Sequence, residues 1–154
     1  MKLIIPTVVC FLMLSASALA QTEGGGRLTG TFDTVITIRV CNTGAAITSF
    51  QSVGSFNQGG TFSGITSGMP PTLRTSERGS WRHLNANLYR FKFKAYLYNA
   101  AAVAIGYQIV THDLELDQSA AEWTSSGTSE TFLMDGTPTG KGCSTAGGTR
   151  MVLD

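Results

Sequence analysis

From Tyr89 to Tyr98 the chain alternates residue by residue. Tyr89, Phe91, Phe93, Ala95 and Leu97 fall on one side, and Arg90, Lys92, Lys94, Tyr96 and Tyr98 on the other. A period of two belongs to a pleated strand with one buried and one wet face, and it excludes an amphipathic helix over this stretch. The pattern recurs at Thr31–Val40, where Phe32, Thr34, Ile36, Ile38 and Val40 oppose Asp33, Val35, Thr37 and Arg39. Between Ser55 and Phe62, Asn57 and the pair Gly59-Gly60 supply the positive φ of a tight hairpin, so Phe56 and Phe62 can meet across it. Strands two and three flank that turn.

The rest of the chain follows the same rule. The Pro70-Pro71 pair makes residues 66–77 a surface loop rather than a central strand. Strand four runs from Gly79 to Leu84, and Asn85-Ala86-Asn87 turns it into strand five. In strand six, Val103, Ile105, Tyr107, Ile109 and Thr111 form an apolar inward set. Leu114 and Leu116 have the opposite parity, so a bulge near His112-Asp113 is predicted to restore the phase. Residues 113–123 also permit a short helix, with Leu116, Ala120 and Trp123 at helical spacing, but a hairpin turning near Gln118-Ser119 is preferred. Strand seven then runs from Trp123 to Met134, twisted at Gly127, and strand eight from Cys143 to Val152. An eight-stranded antiparallel meander removes its exposed edges most simply by closing into a barrel. The predicted fold is therefore all-β, a small closed barrel over residues 30–154.

The amino terminus differs in kind. Met1-Lys2 precedes an apolar run from Leu3 to Leu14, and Ala18-Leu19-Ala20 offers a small-residue cleavage site, the form of a signal peptide over residues 1–20. Residues 21–29, rich in glycine, read as a flexible leader. Cleavage after Ala20 would remove Lys2 and leave ten basic against ten acidic residues. Such a balance implies no nucleic-acid partner and no anionic membrane surface. No second apolar run approaches a membrane span, and the cationic outer face of strand five is unlike the lipid-facing belt of an outer-membrane barrel. The composition, 42% hydrophobic and 14% charged, excludes a disordered tail, a coiled coil and a small disulfide scaffold. Export to a secreted or periplasmic location would leave Cys41 and Cys143 as the one possible intramolecular pair. Cys41 ends strand one and Cys143 begins strand eight, so their bridge would sit at the barrel seam. If they face each other, the register sets Arg150 opposite Thr34 and diagonal to Phe32, where a cation–π contact of about 1 kcal/mol can form.

Gly30-Thr31-Phe32 together with Arg150 on the last strand resembles the calycins, the superfamily of lipocalins and related barrels, with Phe where they carry Trp. Those proteins begin their first strand with G-x-W and pack an Arg from the last strand over the Trp. The resemblance implies an eight-stranded barrel with a ligand site at its open end.

Residues that carry chemistry are sparse. There is no G-x-S-x-G elbow, and His83 and His112 are the only histidines, so no catalytic residue, metal ligand set or cofactor is assigned. His112-Asp113 with Glu115 or Asp117 is the one arrangement with metal-ligand character, and it reads more simply as the solvated end of a hairpin. Interior rings decide how much room is left. Phe32, Phe50, Phe56, Phe62, Trp81, Tyr89, Phe91, Phe93 and Tyr107 are the inward candidates, and a barrel of this size is filled by side chains or holds one small ligand. The first functional reading is a binding module for a small apolar or amphipathic molecule at the barrel mouth, beneath the 66–77 loop, with Trp81, Tyr89, Phe91 and Tyr107 as its contacts. A second is a filled barrel that binds a macromolecule through its Tyr, Lys and Arg face. A third is an enzyme of the barrel-cyclase type, in which shape does the work. An interior cavity of roughly 300 Å³ or more separates the first from the second.

Overall fold

The computed structural model of the chain describes residues 26–152, so the proposed signal peptide and residues 21–25 lie outside the described residues. Eight strands follow one another: β1 (Gly30–Arg39), β2 (Ala46–Asn57), β3 (Thr61–Thr66), β4 (Glu77–Asn85), β5 (Leu88–Tyr98), β6 (Ala104–Leu116), β7 (Glu122–Leu133) and β8 (Pro138–Arg150). Each pairs antiparallel with the next, and β8 returns to β1 to close the barrel. The chain from 113 to 123 is the β6–β7 hairpin, as the alternation favoured. Strand eight starts earlier than expected, with Pro138 at its first position, where a missing N–H costs least.

Odd-to-even connections gather at one end of the barrel, and even-to-odd connections gather with the amino-terminal segment at the other. That second end is closed. Leu28, Phe32, Phe56, Leu114 and Leu116 are fully buried there, and Trp81, Tyr89 and Trp123 nearly so. Phe56 sits against Phe32, Phe62, Trp81, Phe91 and Trp123 at ring-centroid distances of 5.1 to 6.2 Å, mostly edge to face. That arrangement sets ring edges against the negative faces of their neighbours. The burial of Leu28 shows that the segment read as a flexible leader plugs the barrel floor by its carboxy-terminal end. Arg150 fastens it: Nε donates to the Ala120 carbonyl, Nη1 to Thr29 and Nη2 to Arg27, each at 2.7 Å. Its guanidinium lies 4.5 Å from the Phe32 ring centroid.

The disulfide Cys41–Cys143 is formed, with Cα atoms 5.1 Å apart. It is not made by a register pair, however. Arg39 is opposite Cys143, and Cys41 reaches back from the turn beyond β1. Arg150 consequently stands directly across from Phe32, two residues from the position the facing-cysteine register gave it.

Strand six differs more. Its pairing with β7 runs without interruption from Gly106 to Leu116, so no bulge occurs at His112-Asp113. Val110, His112, Leu114 and Leu116 are buried with Gly106, while Ile105 is exposed. The inward face is thus the even-numbered one, and Ile105, Tyr107 and Ile109 point outward.

Candidate functional site

Above the aromatic floor the barrel is not filled. A cavity of about 220 Å³ opens toward the Ser67–Ser76 connection, with Thr66, Gly68 and Met69 at its rim. It is smaller than the roughly 300 Å³ of a drug-sized site. Scaled from the ~150 Å³ void that takes benzene, it holds a molecule of about nine non-hydrogen atoms. Its walls are mainly apolar, from Ile36 and Ile38 on β1, Phe50 on β2, Phe62 on β3 and Phe91 and Phe93 on β5. Besides the hydroxyls of Thr34, Ser52, Thr66 and Ser129, two polar clusters interrupt them.

The first is near the mouth. Arg74, at the end of the long loop, is brought inward by a bridge to Leu97 and buries its side chain. Its Nη1 donates to Glu77 Oε1 at 2.8 Å, its Nη2 to Gln108 Oε1 at 3.3 Å, and its guanidinium lies 5.9 Å from the Phe93 ring centroid. Burial raises the pKa of Glu77, and the neighbouring Arg74 opposes that rise. Glu77 has this space because position 64 opposite it is glycine: a Cβ there would stand 2.5 Å from Glu77 Oε2.

The second lies deeper. His112 Nδ1 is 2.9 Å from Ser125 Oγ and Nε2 is 2.8 Å from Ser144 Oγ, and all three residues are buried. Desolvation lowers the His112 pKa to about 4, with Asp113 working weakly in the other direction, so the imidazole is neutral near pH 7. Here too a glycine clears the way. Gly127 is paired with His112, and a Cβ on it would collide with the Thr111 carbonyl and the imidazole ring. Ser144 and His112 line the cavity, whereas Ser125 holds the ring from the other side.

The residues named from the sequence divide. Phe91 lines the cavity. Trp81 and Tyr89 belong to the packed floor, where Trp81 Nε1 donates to the Asn57 carbonyl at 3.1 Å. Tyr107 is outside the barrel, a consequence of the β6 phase. It stacks on Phe132 at 5.1 Å, meets Tyr96 edge to face, and carries Lys94 Nζ 3.7 Å from its ring centroid. The His112-Asp113 pairing for a metal also separates: His112 faces in, while Asp113 faces out and is bound by Arg90 Nε and Nη2 at 2.6 and 2.8 Å. Residue types alone did not single out Arg74, Glu77, Gln108, Ser144 or Trp123, which also borders the cavity. The signal that was present is a glycine inside a strand, at 64 and at 127, marking a close approach from across the sheet.

Comparison of the chain with protein-family models, with curated proteins and with solved structures finds no match to any of them. The closed eight-stranded antiparallel barrel is consistent with a calycin-like fold, and the likeness rests on architecture and on the Phe32–Arg150 contact.

Proposed function

We propose that this chain is an exported, lipocalin-like binding module that takes one small amphipathic molecule into the barrel through the mouth beneath the Ser67–Ser76 loop. The observation that carries the reading is the cavity of about 220 Å³, apolar in its walls with a few convergent polar groups. That is the usual make-up of a small-ligand site. The volume falls short of the roughly 300 Å³ that would separate a ligand site from a filled barrel by size alone, so the reading rests on the character of the walls and is confined to a molecule of about nine non-hydrogen atoms. The Cys41–Cys143 bridge supports an oxidising compartment, secreted or periplasmic.

Trp123 borders the cavity and Trp81 does not, so emission from a Trp81→Phe variant isolates the relevant reporter. Titration of that variant with a panel of small alcohols, ketones, acids and aromatic hydrocarbons is expected to give a saturable change for at least one of these classes. Ala146→Phe, which places a ring in the cavity, should abolish them while leaving the β-sheet circular dichroism intact. No response across the panel would refute the reading.

A further inference from the structure

Resting on the cavity-binding reading, we infer that the site selects an uncharged ligand bearing a hydroxyl or carbonyl oxygen. That oxygen is taken up at Ser144, and the apolar part lies against Phe62, Phe91 and Phe93.

Three observations converge. The charges inside the cavity are already spent on one another: Arg74 gives one nitrogen to Glu77 and another to Gln108, and the side chains of the ion pair are 7% and 3% exposed. A ligand carboxylate or ammonium would have to break that pair or remain without a counter-charge in an apolar enclosure. Of the other hydroxyls on the cavity wall, Thr34 donates to the Phe32 carbonyl at 3.4 Å, Ser52 to Ile65 at 2.9 Å and Thr66 to Gln51 at 3.3 Å, while Ser129 is only half-buried and is not tied to a carbonyl among the described residues.

Ser144 is different, because its partner is a neutral imidazole with one donor and one acceptor. With the proton on Nδ1, that N–H donates to Ser125, and Ser144 donates to Nε2 and keeps lone pairs for a ligand hydroxyl. With the proton on Nε2, the imidazole donates to Ser144, whose own O–H is then free for a ligand carbonyl. Ser125 makes either arrangement complete by supplying or accepting the other bond. The Ser125–His112–Ser144 chain is therefore an adaptable hydrogen-bonding end to an otherwise apolar chamber. It carries no charge in either form.

The test uses 1-heptanol, 2-heptanone, heptanoate and heptylammonium, which share one chain length, with toluene as the apolar control, measured by calorimetry near neutral pH. The alcohol and the ketone are expected to bind at least about tenfold more tightly than either ion. Ser144→Ala should lower the affinity for both by about tenfold and leave toluene unchanged. In the unaltered protein, nitrogen-15 shifts of His112 should place the proton on Nε2 in the heptanone complex. Equal or tighter binding of heptanoate, alcohol affinity unaffected by Ser144→Ala, or a heptanone complex protonated on Nδ1 overturns the inference while leaving the cavity reading in place. Failure of every compound, toluene included, overturns both.

Discussion

A neutral histidine locked between two serines makes folding stability depend on pH in a calculable way. In the unfolded chain His112 titrates near its ordinary value of 6.5, and in the barrel burial holds it at about 4. As pH falls between these values the unfolded state takes up a proton that the folded state refuses, so stability decreases with acidification. It is fully present above the unfolded value, and the loss levels off below the folded one. Integrated from about pH 7.5 to about pH 4.5, the difference comes to about 2.5 kcal/mol. Glu77 acts in the opposite direction. Its raised pKa makes the folded form hold a proton more readily than the unfolded chain, which favours folding as pH falls toward 4.5. The measurement must therefore be a difference. Denaturant unfolding of the wild type and of His112→Gln, at both ends of this range, leaves the Glu77 contribution common to both. The wild type should lose about 2.5 kcal/mol more than the variant on acidification. Equal losses, or a smaller loss in the wild type, would refute the placement of His112 as a desolvated, uncharged group.

Other features of the barrel give sharper structural tests. Gly127→Ala would drive a methyl into the Thr111 carbonyl and the His112 ring, and should cost about 3 kcal/mol in denaturant unfolding and displace the histidine signals; a neutral change would show that the ring does not lie there. Arg150→Lys loses the fork that serves three carbonyls at once, so a loss of about 3 kcal/mol is expected together with faster hydrogen exchange around Leu28. Full stability with lysine would mean that charge alone seals the floor. Reducing the bridge across 102 residues should lower unfolding free energy by about 2 to 4 kcal/mol without dissolving the barrel, and unchanged denaturant midpoints with and without reductant would contradict this.

The fold was legible because most strands obey the simplest rule of a one-sided sheet. In β5, Tyr89, Phe91, Phe93 and Ala95 are buried and Arg90 and Lys92 exposed, as the alternation requires. Phe56 and Phe62 meet across their hairpin as the turn residues dictate. The site was less legible, and β6 shows why. Apolar character ranked Ile105, Tyr107 and Ile109 as inward, yet these lie outside, where Tyr107 is covered by Phe132, Tyr96 and Lys94. The true inward set includes Gln108 and His112, polar residues that a packed core would reject and that a cavity with hydrogen-bonding ends accommodates. Hydrophobicity reads burial correctly only where the interior is filled. Val110, Leu114 and Leu116 already shared one parity, so a continuous strand needed no bulge if Gln108 and His112 were allowed inside.

The glycines add an independent constraint. Gly64 and Gly127 weaken the strands that contain them, since neither contributes a side chain to pack, and each faces a polar group directed inward. A barrel built only for stability would place an alanine or a valine at these positions and an apolar residue at 77 and 112. This one instead desolvates a carboxylate and an imidazole, satisfies them with Arg74, Ser125 and Ser144, and leaves space above them. Local choices that cost stability and converge on one chamber are what the proposed binding site requires and what a packed core would not. The His112→Gln and Gly127→Ala measurements bear on that point together, because both report whether the chamber holds the imidazole where the cavity meets its floor.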